Sequence, residues 1–359
     1  MFYICKMNRL VLEDLESWYD TNKEEGLKGL RILHDDIRPI IEELNFSKAL
    51  LGKSESGIDI FKICFGNGPK KILIWSQMHG NESTGTKALF DLFKFLSDNE
   101  NKTITDRIKE KCTIAIIPML NPDGAIVYTR ENANGVDLNR DAVDRKAVES
   151  NLLREELDAF NPHFCFNLHD QRTIFNVEGT KNPATLSFLA PSINESRKIT
   201  KGRTETMSVI ASINDFLQEC IPNMIGRYTD EFYPTATGDN FQKLNHNTVL
   251  FEAGHYPNDY NREVTRKYNF YAILQGLYFL ASTDDYSEYE TYFDIPQNDK
   301  KYFDKLYKNT ENKGDVGVLY KYRVVDGNLD IYEEIDQEGD LSGYFGYEEY
   351  DYTGKKYIQ

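Results

Sequence analysis

Residues 71–86 read KILIWSQMHGNESTGT. Four residues suited to a buried strand (Ile72, Leu73, Ile74, Trp75) run straight into His79-Gly80-Asn81-Glu82. An imidazole and a carboxylate three positions apart at the end of a strand offer one metal ion two ligands from a single turn. Zn²⁺ accepts imidazole nitrogen and carboxylate oxygen at ~2 Å, and a catalytic site uses three such ligands while keeping one position for water. Taken alone, His79 could equally be a capped turn histidine, and Glu82 an acid drawn to a helix N-terminus by its dipole. The chemistry needs three further parts from elsewhere in the chain: a third ligand, a base and an anion clamp.

The elements that must position these groups follow from periodicity. Residues 8–50 carry helical spacing, with Leu10, Leu12, Leu15 and Trp18 leading to Leu30, Leu33, Ile37, Ile40, Ile41 and Leu44. LGKSESG is a turn-rich break, after which 58–65 and 72–78 read as strands joined by GNGPK, a hairpin-type loop. The spacing of Leu89, Leu92, Phe93 and Leu96 predicts a helix over 83–96. Residues 113–119, 164–168 and 247–253 read as apolar strands, 204–221 as an amphipathic helix and 263–281 as a long helix. Strands alternating with helices predict an α/β fold: a mixed, largely parallel twisted sheet flanked by helices. In such sheets ligands gather beyond the carboxyl ends of the strands. After Ser282 the composition turns acidic and tyrosine-rich, and then alternates (Val316, Val318, Tyr320, Tyr322, Val324) up to the turn Asp326-Gly327-Asn328. The organisation expected is an N-terminal helical segment (1–50) packed on a main domain (51–285), and a small C-terminal β appendage (296–359).

At 359 residues, with 40% hydrophobic and 13% aromatic side chains, the chain can bury a sizeable core. A net charge of −16 argues against nucleic acid and anionic membrane surfaces as partners; it would suit a cationic substrate, but reads first as a solvated acidic surface that aids solubility. The five cysteines (Cys5, Cys64, Cys112, Cys165, Cys220) form no CxxC pair. They read as small buried hydrophobes in a reducing compartment. The opening MFYICKMNRL has too short an apolar run for a secretory signal, and no window reaches the ~20 apolar residues of a membrane span. A cytoplasmic location is the expectation; nothing in the sequence sets the oligomeric state.

Downstream of His79 and Glu82 lie NPDG (Asn121–Gly124), Arg130, GVDLNR (Gly135–Arg140), a histidine closing a strand in NLHD (His169), and Glu252 in TVLFEAG. This ordered set, from about Gly52 to Leu280, resembles the zinc metallocarboxypeptidases (funnelins). The resemblance implies one Zn²⁺ per chain held by His79, Glu82 and His169. Glu252 would be the general base, moving a proton from the attacking water to the leaving amine. A glutamate among Val249, Leu250, Phe251 and Ala253 is costly without a partner or a task. Arg130 would steady the oxyanion, and Asn139 with Arg140 would grip the substrate's terminal carboxylate, a geometry that suits guanidinium. Tyr233 would be the tyrosine that caps substrate, with Tyr228 competing for that role. Asp123 and Asp137 read as loop-fixing residues. His163, His246 and His255 read as ordinary, with His255 at the surface or behind the site.

The chain departs from the family at Asp141-Ala142, where Asn-Phe is frequent, and at Asp170-Gln171, where small hydroxyl residues are frequent. These differences fall on the pocket rim, so substrate preference does not carry over. The activity implied is removal of a C-terminal residue from a peptide or peptide-like amide. A second reading keeps the fold and takes an N-acyl amino acid as substrate, like the desuccinylase and aspartoacylase relatives. A third is an inactive, peptide-binding relative. Asn139-Arg140 favours the first over the second, and Glu252 with the three ligands speaks against the third.

Overall fold

The computed structural model describes residues 8–358, so Cys5 and the opening apolar run lie outside the described residues. Its centre is an eight-stranded sheet. In chain order the strands are β1 (Ser47–Lys53), β2 (Asp59–Gly66), β3 (Lys70–Ser76), β4 (Cys112–Ile117) and β5 (Phe164–Asp170). The short β6 (Phe175–Val177) lies outside this sheet, and β7 (Leu186–Leu189), β8 (Ile225–Arg227) and β9 (Asn247–Ala253) complete it. The spatial order is β1-β2-β4-β3-β5-β9-β7-β8. The four central strands, β4, β3, β5 and β9, run parallel, and antiparallel pairings flank them.

Alternation along the central strands explains why helices cover both faces. Ile72 and Ile74 of β3 point into one core, and Leu73 and Trp75 into the other. The first core is covered by α1 (Leu12–Asn22), α2 (His34–Glu43), α3 (Thr84–Ser97), α4 (Lys102–Lys111), α7 (Lys201–Cys220) and α9 (Glu263–Ser282). The second lies under α6 (Val148–Phe160) and α8 (Thr237–Lys243), while α5 (Pro122–Val127) is a short turn of helix after β4. Both faces of the central strands are therefore dry, as their near-continuous apolar sequences require.

The expected β2–β3 hairpin does not form. β4 lies between the two strands, pairing antiparallel with β2 and parallel with β3. The GNGPK loop instead crosses the start of β4. Asn67 N–H donates to the Lys109 carbonyl at 2.9 Å and Gly68 N–H to that of Cys112 at 3.1 Å. A Cβ at Gly68 would fall 2.1 Å from the Lys111 backbone, so the crossing requires glycine. The expected break at LGKSESG is also shorter than expected, because β1 extends through Lys53 before the turn.

Beyond α9 the chain pairs β10 (Asn298–Lys300) with β6. It then builds a four-stranded sheet from β11 (Tyr302–Thr310), β12 (Gly314–Val325), β13 (Asn328–Gly339) and β14 (Phe345–Asp351). The turn at Asp326-Gly327 has both residues at positive φ, 50° and 80°, which matches the right-handed twist of a two-residue hairpin. No described helix is long and apolar enough to cross a membrane.

Candidate active site

The turn after β3 is locked before any ligand is considered. Gln77 sits at φ 49°. Its side-chain amide donates to the carbonyls of Ile32 and Gly80, both at 3.0 Å, and its oxygen accepts from Thr86 Oγ1 at 2.8 Å. Gly80 passes so close to α5 that a Cβ would come within 2.0 Å of the Gly124 backbone. The turn thereby aims His79 and Glu82 at the end of β5, where His169 emerges.

His79, Glu82 and His169 converge with ligand atoms all within 4.8 Å of one another. The two carboxylate oxygens of Glu82 face the two Nδ1 atoms, each at 2.8 Å, and the Nδ1 atoms are 3.1 Å apart. A tetrahedral ion with bonds of ~2.0–2.1 Å separates its ligands by roughly 3.3 Å, so outward shifts of a few tenths of an ångström fit this set around Zn²⁺. His79 Nε2 lies 3.1 Å from Asp137 Oδ1. A proton held there leaves Nδ1 as the metal-facing lone pair. His169 also turns Nδ1 into the cluster, and its buried Nε2 has no hydrogen-bond partner among the described residues.

The charges reinforce this geometry. Burial pushes the Glu82 carboxyl up, but the two imidazoles outweigh it and hold it well below its usual range. Asp137 is likewise held low against burial, by His79 and Arg130. Arg130 donates from Nε to Asp137 Oδ2 at 2.8 Å, with Nη1 3.2 Å from His79 Nδ1 and 3.6 Å from Glu82. Asp137 also accepts from Asn139 N–H at 2.9 Å. It is thus more than the loop-fixing residue expected from sequence, since it orients His79 and Arg130 together. Asp123 fits that expectation, accepting from Ser54 Oγ and Ser56 N–H.

Glu252 stands on β9 in register with His169 on β5. Burial raises its carboxyl well above the usual range, and the negative Glu82 and Asp170 raise it further. Its side chain has no hydrogen bond among the described residues.

The clamp candidates follow Asp137 in the chain. Asn139 accepts from Thr237 N–H at 3.0 Å, and the exposed Arg140 donates to the Asn139 carbonyl at 2.8 Å. Tyr233 is 50% exposed, with its hydroxyl donating to Glu231 at 2.9 Å. Tyr228 is the tyrosine nearer the carboxylates. Its hydroxyl donates to Gln171, and burial together with Glu252 and Glu82 raises its pKa. Of the other histidines, His163 accepts from Lys71 N–H and His246 donates to the Pro162 carbonyl. His255 is buried at 2% exposure against Tyr260 and Tyr347 rather than lying at the surface.

A protein-family model described as zinc carboxypeptidase (Peptidase M14) matches residues 46–274. The chain belongs to this family. Carboxypeptidase SOL1 of Arabidopsis thaliana is 35% identical over 102 residues, covering 26% of this chain and 21% of that protein. The carboxypeptidase N catalytic chain of Homo sapiens is 32% identical over 116 residues, 26% of this chain and 25% of its own length. These matches span about a fifth to a quarter of the curated relatives. A metallo-carboxypeptidase from Burkholderia cenocepacia superposes with a TM-score of 0.54 at 17% identity, covering 69% of this chain and 68% of its own, which is a likeness of fold. The zinc carboxypeptidase match contains every candidate residue, from His79 to Glu252, and ends within α9, before the C-terminal sheet.

Proposed function

We propose that the chain is a zinc-dependent metallocarboxypeptidase that hydrolyses the C-terminal amide bond of a peptide. The observation that carries this reading is the convergence of His79, Glu82 and His169 with Glu252 in register beside them. Zn²⁺ held by the first three would supply Lewis acidity, lowering the pKa of water and polarising a carbonyl.

The remaining work belongs to the protein's own side chains. Glu252, in register beside the cluster, takes a proton from the attacking water and returns one to the leaving amine. Arg130, already carrying an aligned guanidinium beside the cluster, offers N–H donors to the developing oxyanion. Asn139 and Arg140 bind the substrate's terminal carboxylate and so select the last peptide bond. Tyr233, on an exposed loop, closes over bound substrate. Asp137 keeps His79 in one tautomer throughout.

Chelation and reconstitution test the reading. Removing metal should abolish hydrolysis of free-carboxylate peptides, and stoichiometric Zn²⁺ should restore it. Turnover that persists in a metal-free preparation overturns it.

A further inference from the structure

Beside Glu82 lies a cavity of about 310 Å³ that the proposed mechanism does not use. One wall comes from the segments after β5 and β9, including Arg172, His255 and Tyr260. The other is supplied by the C-terminal sheet through Asp304, Tyr320, Tyr322 and Tyr332. Asp137, Asn139 and Arg140 do not line it. If the terminal carboxylate binds at Arg140 and the reacting bond at the metal cluster, as in the proposed mechanism, this cavity falls on the acyl side of the substrate. Its volume falls at the low end of the ~300–1,000 Å³ range of small-ligand pockets, a size that suits one or two residues.

The wall is firmly docked. Asp304 accepts from Tyr320 N–H at 2.8 Å, Tyr260 Oη at 3.0 Å and Thr173 Oγ1 at 3.2 Å. Tyr347 Oη donates to the Thr173 carbonyl at 2.8 Å, and Arg31 Nη1 to that of Gly327 at 2.7 Å. Ile174 is buried among Phe303, Leu306 and Leu319.

Most charges in the cavity are already committed. Glu82 faces two imidazoles, Asp170 accepts from Thr84 and lies 3.7 Å from Arg262, and Asp304 has three donors. Arg262 donates to the carbonyls of Ala253 and Gln171. Lys321 is 3.6 Å from Glu334. Arg172 is exposed and, among the described residues, has no hydrogen bond or ion pair. Aromatic walls with one uncommitted guanidinium suit a carboxylate.

We propose that the C-terminal sheet closes the acyl side of the substrate cleft, so that the chain selects short peptides whose residue before the scissile bond carries an anionic side chain received by Arg172. This inference rests on the peptidase reading.

The test compares N-acetyl dipeptides with Glu or Gln before the scissile bond, and the Glu peptide extended by four N-terminal residues, on the zinc-loaded full chain. The Glu dipeptide should exceed the Gln dipeptide in kcat/KM by roughly 10-fold or more, the scale of charge-assisted hydrogen bonds. Arg172→Gln should bring the Glu dipeptide down to the rate of the Gln dipeptide. The extended peptide should be slower than the short one, and Tyr322→Ala should narrow that gap. Equal rates for long and short peptides overturn the proposal, as does a Glu preference that is absent or survives Arg172→Gln. If no peptide is hydrolysed, the peptidase reading fails on its own. Calorimetry with N-acetylglutamate on the metal-free chain then decides the pocket separately: binding lost in Arg172→Gln supports it, and no binding overturns it.

Discussion

His169 and Glu252 are register partners on the adjacent parallel strands β5 and β9, so one side chain of the metal cluster and the half-buried carboxylate leave the sheet side by side on the same face. Neighbouring strands lie ~4.8 Å apart, a spacing set by backbone hydrogen bonds rather than by loop conformation. Glu252→Gln preserves size and register while removing the proton acceptor. It should retain one zinc per chain by metal analysis and lose turnover by about 10²–10⁴-fold. Activity close to wild type would place the base elsewhere.

Asp137 touches no substrate in the proposed mechanism, yet it meets His79 and Arg130 through its two oxygens. Asp137→Ala frees the imidazole to rotate and change tautomer. Zinc affinity, measured by competition with a chromophoric chelator, should fall roughly 10–100-fold. Unchanged affinity would make the contact incidental.

In the proposed mechanism Arg140 is the residue that separates an exopeptidase from enzymes that ignore the chain end. Arg140→Ala should lower kcat/KM for free-carboxylate substrates by on the order of 10²-fold, and far less for their amidated counterparts. Equal losses would favour the N-acyl amino acid reading or an endopeptidase.

His255 gives a pH dependence of stability. Burial, then Arg262, pushes its pKa down to about 3, against an ordinary value of 6.5. The unfolded chain therefore binds a proton there that the folded chain refuses, and stability falls as pH drops from about 6.5 towards 3. In metal-free protein, His255→Phe should flatten this part of the acid limb by a few kcal/mol at most, read from urea midpoints at pH 7 and pH 4.5. Parallel profiles for the two proteins would refute it.

Asp91 and Arg266 form a fully buried pair at 2.6 Å, and Arg266 also donates to the carbonyls of Glu24 and Leu27. Asp91→Ala removes the bidentate partner of that guanidinium and leaves only Glu263, 3.1 Å from Nη1 and partly exposed, as counter-charge. A loss of about 3–5 kcal/mol in unfolding free energy is expected by denaturant titration. A loss under 1 kcal/mol would mean that the charge finds water.

Much of this site was legible because its residues obey local rules. The strand-then-turn pattern around His79 and the apolar run enclosing Glu252 both survive in the structure, the latter with identical bounds. What escaped were relationships that no local pattern encodes. β4 entered between β2 and β3 because its partners come from separate stretches of chain, and GNGPK looks the same whether it turns or crosses. Asp137 looked like a turn former because the imidazole it orients lies 58 positions earlier. Arg172 carried no signal, since its setting depends on a sheet that begins 130 residues later, at Tyr302. The three-to-four-residue strands β6, β7 and β8 were too short to show a period.

The strand order also bears on how the protein is made. His79, Glu82 and His169 are all present once β5 has been synthesised, while Glu252, on the β9 strand that covers the free edge of β5, lies 83 positions after His169. During that interval the chain holds the three candidate ligands but not the proposed base, and an ion joining the β3 turn to the end of β5 would brace an unfinished edge otherwise open to aberrant pairing.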